Sequence, residues 1–177
     1  MALLIPHQTT PPGGALSIDA DVAISAAGAR FTFTLTGADQ VRWPPPAAPE
    51  RADLLWKTTC FEAFLQPDGQ NGYVEFNFSP SGRWAAYGFE SYRAGMRHAA
   101  MAAAPAIGFE RRGDQAILTA TLAVWPVDLY RIKKLNVGLT AVIEQPGGAI
   151  TCHALAHPSP QPDFHNAGGF ALSLILD

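Results

Sequence analysis

Short segments in which apolar and polar residues alternate recur along most of this 177-residue chain. In Phe31-Thr32-Phe33-Thr34-Leu35-Thr36 the alternation is perfect, and every second residue is a threonine. Residues two apart in a strand lie on the same face of a sheet, so this segment predicts a strand with one buried and one solvated face. Turn sequences such as Pro67-Asp68-Gly69 and Arg112-Gly113-Asp114 separate the segments. Short strands at this spacing are typical of a sandwich or barrel, and we expect an all-β fold.

The predicted strands share this alternation and are bounded by turn signals. They cover residues 16–24, 31–36, 39–43, 59–66, 72–79, 83–90, 106–111, 115–123, 136–144, 149–155 and 169–176.

Helix signals are few, and we expect one or two short helical turns. Residues 125–131 predict one turn with proline at an early position, and the alanine-rich residues 94–104 predict a loop or a short helix. The proline-rich residues 43–49 cannot pair inside a sheet and predict a surface excursion. Neither a repeat nor a linker is visible, so residues 1–177 are expected to form one domain.

Composition and charge exclude several classes of protein. A net charge of -3 with only twelve Lys and Arg residues argues against a nucleic-acid partner, which would call for a basic patch. No apolar run reaches the length of a membrane span, so no membrane partner is expected. The initial residues 1–14 lack the basic region of a signal peptide, which favours a cytoplasmic protein. We expect buried free thiols at Cys60 and Cys152, or a disulfide if their strands lie side by side.

The most informative segment is 55–93, which is rich in aromatic residues and carries polar side chains at strand spacing. Within 73–78, valine and phenylalanine occupy one face of the predicted strand, whereas Tyr73, Glu75 and Asn77 occupy the other. Such a strand can pack against a core on one side and present a polar ligand surface on the other.

Glu62 and Glu75 are predicted on neighbouring strands, and their roles remain open at this level. They can accept hydrogen bonds from sugar hydroxyls or bind a cation. They can pair across strands with Arg83, Arg93 or Lys57. They can also serve as the acid and base of a glycosidase, which would require a deep cleft and one desolvated carboxyl.

The histidines cluster late in the chain, and a metal site formed by His157, Asp163 and His165 is conceivable. The alternative is that Asp163 and His165 bond the backbone of a proline-rich loop. His153 and His157 are four residues apart, but Pro158 and the strand-like residues before it argue against a helix there. Phosphate-binding glycine loops, nucleophile elbows and cysteine pairs at metal spacing are absent from the sequence, and no cofactor is expected.

Segments 55–93 and 158–172 resemble a bacterial DOMON-like protein related to family 9 carbohydrate-binding modules. The first resemblance lies in Trp56-Lys57-Thr58-Thr59-Cys60-Phe61-Glu62-Ala63-Phe64-Leu65, where a tryptophan precedes a strand that carries an acidic residue. The second lies in Tyr73-Val74-Glu75-Phe76-Asn77-Phe78-Ser79, where the family's next strand carries polar side chains toward the ligand. The run of residues 78–87 looks like an uncharacterised DOMON-like branch.

The resemblance implies an antiparallel sandwich of immunoglobulin-like or jelly-roll-like type, with a ligand site on one sheet and no catalysis. It implies a carbohydrate or small polyol as the ligand, stacked on Trp56 beside the Glu62 carboxylate. The alternative for Trp56 is an ordinary core tryptophan that caps one end of the sandwich. Asn77 takes a position where an arginine is common, and Phe164 is the best substitute for a second aromatic wall. We also expect Arg93 to reach toward the two glutamates and join Glu75 in the ligand site.

Three other functions remain open. DOMON relatives include haem binders, in which Met96, Met101 or a histidine would be the axial ligand. A glycoside-active enzyme would use Glu62 and Glu75. A protein-interaction module would leave the aromatic face apolar and open, with a partner that the sequence does not identify.

Overall fold

The computed structural model describes residues 1–9, 16–129 and 132–176. Its strands are short and follow the alternating segments of the sequence. They are β1 (Ala2–Pro6), β2 (Ser17–Ile24), β3 (Ala29–Thr36), β4 (Cys60–Pro67), β5 (Tyr73–Phe78), β6 (Trp84–Phe89), β7 (Arg97–His98), β8 (Ala106–Arg112), β9 (Gln115–Leu122), β10 (Lys134–Glu144), β11 (Ile150–Ala154) and β12 (Leu172–Ile175).

The strands form two antiparallel layers that β1 joins at one side. The first sheet has the order β1-β2-β3-β9-β8, and the second has the order β7-β6-β5-β4-β10-β11, with β12 pairing beside β10. In β1, Leu4 pairs with Ile18 of the first sheet, whereas Ile5 pairs with Ala154 of the second. The predicted antiparallel β-sandwich is confirmed.

The core lies between the two sheets and is built by the apolar face of each alternating strand. The Phe31 ring of β3 lies 5.5 Å from the Phe78 ring of β5, and the Phe33 ring lies 5.0 Å from the Phe61 ring of β4, measured between centroids. All four rings are buried. Burying a side chain of this size contributes about 1.5–3 kcal/mol, so the apolar faces of the alternating strands also stabilise the fold.

Several predicted elements are wrong in detail. Residues 39–43 form no strand, because Gly37 turns the chain with a φ of 91° and a single 3-10 turn follows at once. The described residues hold four such turns, not one or two: Ala38–Gln40, Leu55–Lys57, Val127–Leu129 and Ala167–Gly169. Of the turn predicted over 125–131, residues 130 and 131 lie outside the described part of the chain. Strand β1 was missed because its sequence is apolar without alternation.

No disulfide joins Cys60 to Cys152. Cys60 pairs with Val142 of β10, and Val142 pairs on its other side with Cys152 of β11. Two strand spacings of about 4.8 Å therefore separate the two backbones, beyond the usual reach of a disulfide. Burial, with the negative charge of Glu62 and Glu75 nearby, raises the pKa of the Cys60 thiol well above its usual value.

None of the helical turns in the described ranges is long and apolar enough to span a membrane.

Candidate ligand-binding face

The polar side chains singled out by the sequence lie on the outer face of the second sheet, which points away from the core between the sheets. The strand register sets them in rows. Glu62 of β4 is opposite Asn77 of β5 on one side and Thr140 of β10 on the other. In the next row Phe64 is opposite Glu75, which is opposite Tyr87 of β6. The structure therefore brings Glu62, Glu75 and Asn77 together on adjacent strands.

A long connection from β11 to β12, residues 155–171, folds over this outer face, and we call it the cap segment. Its Phe170 ring stacks on Phe64 with the centroids 5.6 Å apart and the planes at 18°. Gly138 makes this approach possible, because a Cβ there would lie 2.7 Å from a Phe170 ring carbon. Phe164, the candidate second aromatic wall, is half-buried and packs against the same cluster. The outer face is thus a second small apolar core and not an open surface.

His165 of the cap segment is held by its ring nitrogens and by aromatic packing. Its Nδ1 lies 2.8 Å from the Tyr73 hydroxyl, and its ring packs edge-on against Phe64 and Phe89. The Tyr73 oxygen accepts a hydrogen bond of 3.2 Å from the Arg93 backbone N–H. The Tyr73 proton is then left to bond His165 Nδ1, so Nε2 carries the imidazole proton.

The His165 Nε2 atom faces Glu75 Oε2 at 3.7 Å. Burial, reinforced by the positive charge of Arg93, lowers the pKa of His165 to about 4. The imidazole is therefore neutral near pH 7, and this contact is a polar contact and not an ion pair.

Glu62 and Glu75 are buried, with exposed fractions of 3% and 6%. Glu62 Oε2 accepts a hydrogen bond of 3.1 Å from the Thr140 hydroxyl. Burial raises the pKa of both carboxyls, and the charge of Glu75 raises that of Glu62 further. The Asn77 side chain is also buried, and its amide lies between Glu75 and the Cys60 thiol, whose sulfur is 3.8 Å from Asn77 Oδ1.

The cross-strand ion pairs considered for these glutamates are not formed. Arg83 instead donates to Glu50 at 2.8 Å, and Arg93 donates to Asp163 at 2.9 Å. The Lys57 ammonium lies 5.9 Å from the centre of the Trp56 ring. Both glutamates are satisfied by neutral partners, as their burial requires.

Trp56 lies on the 3-10 turn Leu55–Lys57 just before β4, and 47% of its surface is exposed. The neighbouring Leu55 packs into the outer-face cluster. The preceding residues are anchored as well, because the Tyr87 hydroxyl donates to Asp53 at 2.6 Å. A fixed turn therefore presents the indole to solvent.

Arg93, Tyr92 and Asp163 form a hydrogen-bonded group at the other end of the strands, in which Arg93 and Tyr92 are exposed and Asp163 is largely covered. The Tyr92 hydroxyl donates to Asp163 Oδ2 at 2.8 Å, and Arg93 donates to Asp163 Oδ1. Burial alone would raise the pKa of Asp163, but the hydrogen bonds from Tyr92 and Arg93 lower it. Arg93 therefore donates to Asp163 and forms no ion pair with either glutamate, although its positive charge opposes the rise that burial causes in the pKa of Glu75.

The residues considered for metal and haem are dispersed. His157 Nε2 lies 2.8 Å from the carbonyl oxygen of Ile5, and its ring contacts those of His7 and Phe164. Across the described ranges, no three His, Cys, Asp or Glu residues are placed to hold a metal ion. Asp163 instead accepts from the His165 backbone N–H at 3.2 Å, as expected for loop-stabilising side chains. Met96 is exposed, and Met101 packs against the core.

A cleft of about 240 Å³ opens at the far end of β4 and β5, near the Asn71-Gly72 turn. It is lined by Gln66, Asn71, Tyr73, Ser91, Tyr92, His165 and Ala167. The sequence analysis did not select Gln66, Asn71 or Ser91. The only sequence signal for them is their position beside turn sequences at the ends of aromatic strands.

Comparisons with known proteins bear on the fold. No protein-family model matches the sequence, and no curated protein matches it. A solved structure of a putative carbohydrate-binding protein from Bacteroides uniformis is similar, with a TM-score of 0.65 and 14% identity over 98% of this chain and 86% of that chain. A family 9 carbohydrate-binding module from Caldicellulosiruptor kristjanssonii in complex with glucose has a TM-score of 0.53 and 6% identity, covering 98% of this chain and 84% of that chain. At these identities the comparisons show a shared fold and nothing beyond it.

Proposed function

We propose that this chain, acting as a single domain, binds a carbohydrate or small polyol without changing it chemically. The observation that carries the proposal is the exposed Trp56 indole on an anchored turn, in a fold shared with a module whose structure contains glucose. The narrower assignment, to DOMON-like relatives of family 9 modules, rests on the motif from Trp56 to Leu65 and is part of the proposal.

Trp56 is suited to sugar stacking for physical reasons. An indole offers a wide apolar face for sugar C–H groups and an N–H donor for a hydroxyl. The Leu55 side chain and the Asp53–Tyr87 hydrogen bond hold the turn before any ligand arrives. Little conformational entropy is then lost at this site on binding, which favours affinity.

The buried polar residues have a different part in this proposal. Glu62, Glu75 and Asn77 shape and hold the sheet behind the platform, because all three are already hydrogen-bonded and buried. A ligand that reaches them would have to displace the cap segment around Phe164 and His165. We therefore assign the first contact with the ligand to Trp56, which is already exposed.

Burial also argues against the glycosidase alternative. Acid and base carboxyls must both reach the glycosidic bond, and one of them must be ionised. Here both carboxyls are buried, and burial raises the pKa of each. The arrangement favours binding over hydrolysis.

The test is isothermal titration of the native protein with neutral mono- and oligosaccharides, repeated with Trp56→Ala. Leu54→Ala is the matched control, since Leu54 is an exposed apolar residue on the same segment. We expect saccharide binding that Trp56→Ala weakens at least tenfold and Leu54→Ala leaves nearly unchanged. Equal loss in both variants, or no binding of any saccharide at millimolar concentration, would overturn the proposal. A haem titration followed by Soret absorbance tests the haem alternative directly.

A further inference from the structure

The 240 Å³ cleft is well separated from Trp56 along the sheet. Trp56 precedes the first residue of β4, whereas Gln66 lies near its last residue. A strand rises about 3.3 Å per residue, so Cys60 and Gln66 are about 20 Å apart along β4. The cleft and the Trp56 platform are therefore two distinct places on one sheet.

Aromatic side chains give the cleft a wall and a rigid floor. Tyr92 is 58% exposed, and its hydroxyl is fixed by Asp163 at 2.8 Å. The Tyr73 ring is buried and stacks on Phe89 with centroids 4.8 Å apart and planes at 12°. A ligand that enters the cleft would meet an ordered tyrosine face, the kind of surface on which sugar C–H groups stack.

Unused polar groups line the same cleft. Among the described residues, neither the Asn71 side-chain amide nor the Ser91 hydroxyl has a hydrogen-bond partner. Gln66 donates a single long hydrogen bond of 3.4 Å to the Asn71 carbonyl, which leaves its own side-chain oxygen available. Amides and hydroxyls both donate and accept, so together they match the vicinal hydroxyls of a sugar.

The lining carries no uncompensated charge. Arg93, beside the cleft, is paired with Asp163 at 2.9 Å. His165 is neutral near pH 7, because its ring is buried and Arg93 lies close to it. A phosphate or carboxylate would find no free cation among the lining residues, so the cleft favours a neutral ligand.

We propose that this cleft, between Gln66, Asn71, Ser91 and Tyr92, is a second binding site for a neutral, hydroxyl-rich ligand such as one sugar unit. The proposal rests on the proposed function for its ligand class, but it has its own residues and its own test. An oligosaccharide that passes over the cap segment and spans the roughly 20 Å between the two sites would contact both, and its affinity would exceed that of a monosaccharide through effective concentration.

The experiment is an amide chemical-shift titration of the native protein, Trp56→Ala, Asn71→Asp and Ser91→Ala. The probes are glucose, galactose, xylose and cellohexaose, with glucose 6-phosphate and adenosine as comparison ligands. Asn71 is an exposed turn residue, so its substitution leaves the fold intact. We expect a neutral sugar to shift amides of residues 71–73 and 91–93 in the native protein and in Trp56→Ala. In Asn71→Asp, we expect the affinity measured from the amides of residues 71–73 and 91–93 to fall at least tenfold. The shifts of residues 54–57 should stay unchanged.

The outcomes separate the two proposals. Shifts confined to residues 54–57 would overturn the second site while the proposed function stands. Shifts confined to residues 71–73 and 91–93 would support the second site and remove Trp56 as the platform. No shift from any sugar overturns both, and a stronger response to adenosine or glucose 6-phosphate than to every neutral sugar overturns the ligand class.

Discussion

Asn77 donates a hydrogen bond of 2.6 Å to Glu75, two residues away on the same face of β5, and both side chains are buried. The bond is possible because alternate residues of a strand project to one side. It also gives the carboxyl a partner inside the protein, without which burial would be costly. The polar face of β5 is therefore a satisfied internal network in this structure.

Glu62→Gln is expected to change the pH dependence of stability. Burial raises the pKa of Glu62 well above its ordinary value of 4.5, so the folded protein keeps a proton that the unfolded chain loses. The stability that the folded protein gains from holding this proton is fully present below pH 4.5. It is lost as the pH rises toward the pKa of Glu62 in the folded protein. The native protein should thus lose more stability between pH 5 and pH 8 than Glu62→Gln, as measured by urea unfolding.

Glu110→Gln is the control for this comparison, because Glu110 is exposed and pairs with Arg112 on the surface. It should follow the native protein across the same pH range. Parallel curves for the native protein and Glu62→Gln would show that Glu62 ionises in the folded state as freely as in the unfolded chain.

Tyr73→Phe is expected to destabilise the protein by about 1–3 kcal/mol, the usual cost of leaving buried polar groups unsatisfied. The change removes the partner of both the Arg93 N–H and His165 Nδ1. Tyr92→Phe is the matched control, since it also removes one tyrosine hydroxyl but at an exposed position. Hydrogen exchange at the Arg93 backbone amide should accelerate only in Tyr73→Phe. If urea unfolding shows the same loss of unfolding free energy in both variants, the role given to the Tyr73 hydroxyl is contradicted.

The alternation of residues was enough to predict most strands and the side of β3 and β5 that faces the core, because two-residue periodicity directly records which side chains are buried. The sequence did not reveal that the polar face of β5 is also covered. That depends on contacts such as Tyr73 with His165, which are 92 positions apart. The cleft beside Asn71 was missed for the same reason, since its lining comes from three separate segments.

Leu54→Gly is expected to stabilise the protein slightly. Leu54 has a φ of 60°, in the left-handed region that costs a residue with a Cβ about 1–2 kcal/mol. Glycine avoids this cost but loses roughly 0.5–1 kcal/mol in chain entropy. Leu54→Ala removes the rest of the leucine side chain but keeps the Cβ, and with it the strain. The unfolding free energy of Leu54→Gly should therefore exceed that of Leu54→Ala by up to about 1 kcal/mol in thermal or urea unfolding. If alanine is the more stable of the two, the backbone strain is absent.

His165→Asn is expected to reduce the loss of stability in acid. The pKa of His165 is lowered to about 4 because the ring is buried and Arg93 lies nearby, although Asp163 opposes the shift. Between its ordinary value of 6.5 and 4, the unfolded chain therefore binds a proton that the folded protein does not, and stability falls as the pH falls.

Asparagine can still accept from the Tyr73 hydroxyl but does not titrate, so His165→Asn tests the proton and not only the packing. The variant loses ring contacts with Phe64 and Phe89, and its stability at pH 7 should be lower. The decisive quantity is the slope of unfolding free energy between pH 6.5 and 4, which should be smaller by up to about 1.4 kcal/mol per pH unit, the value for one proton. An unchanged slope in His165→Asn would mean that His165 binds a proton in the folded protein as readily as in the unfolded chain, with the cap segment in place.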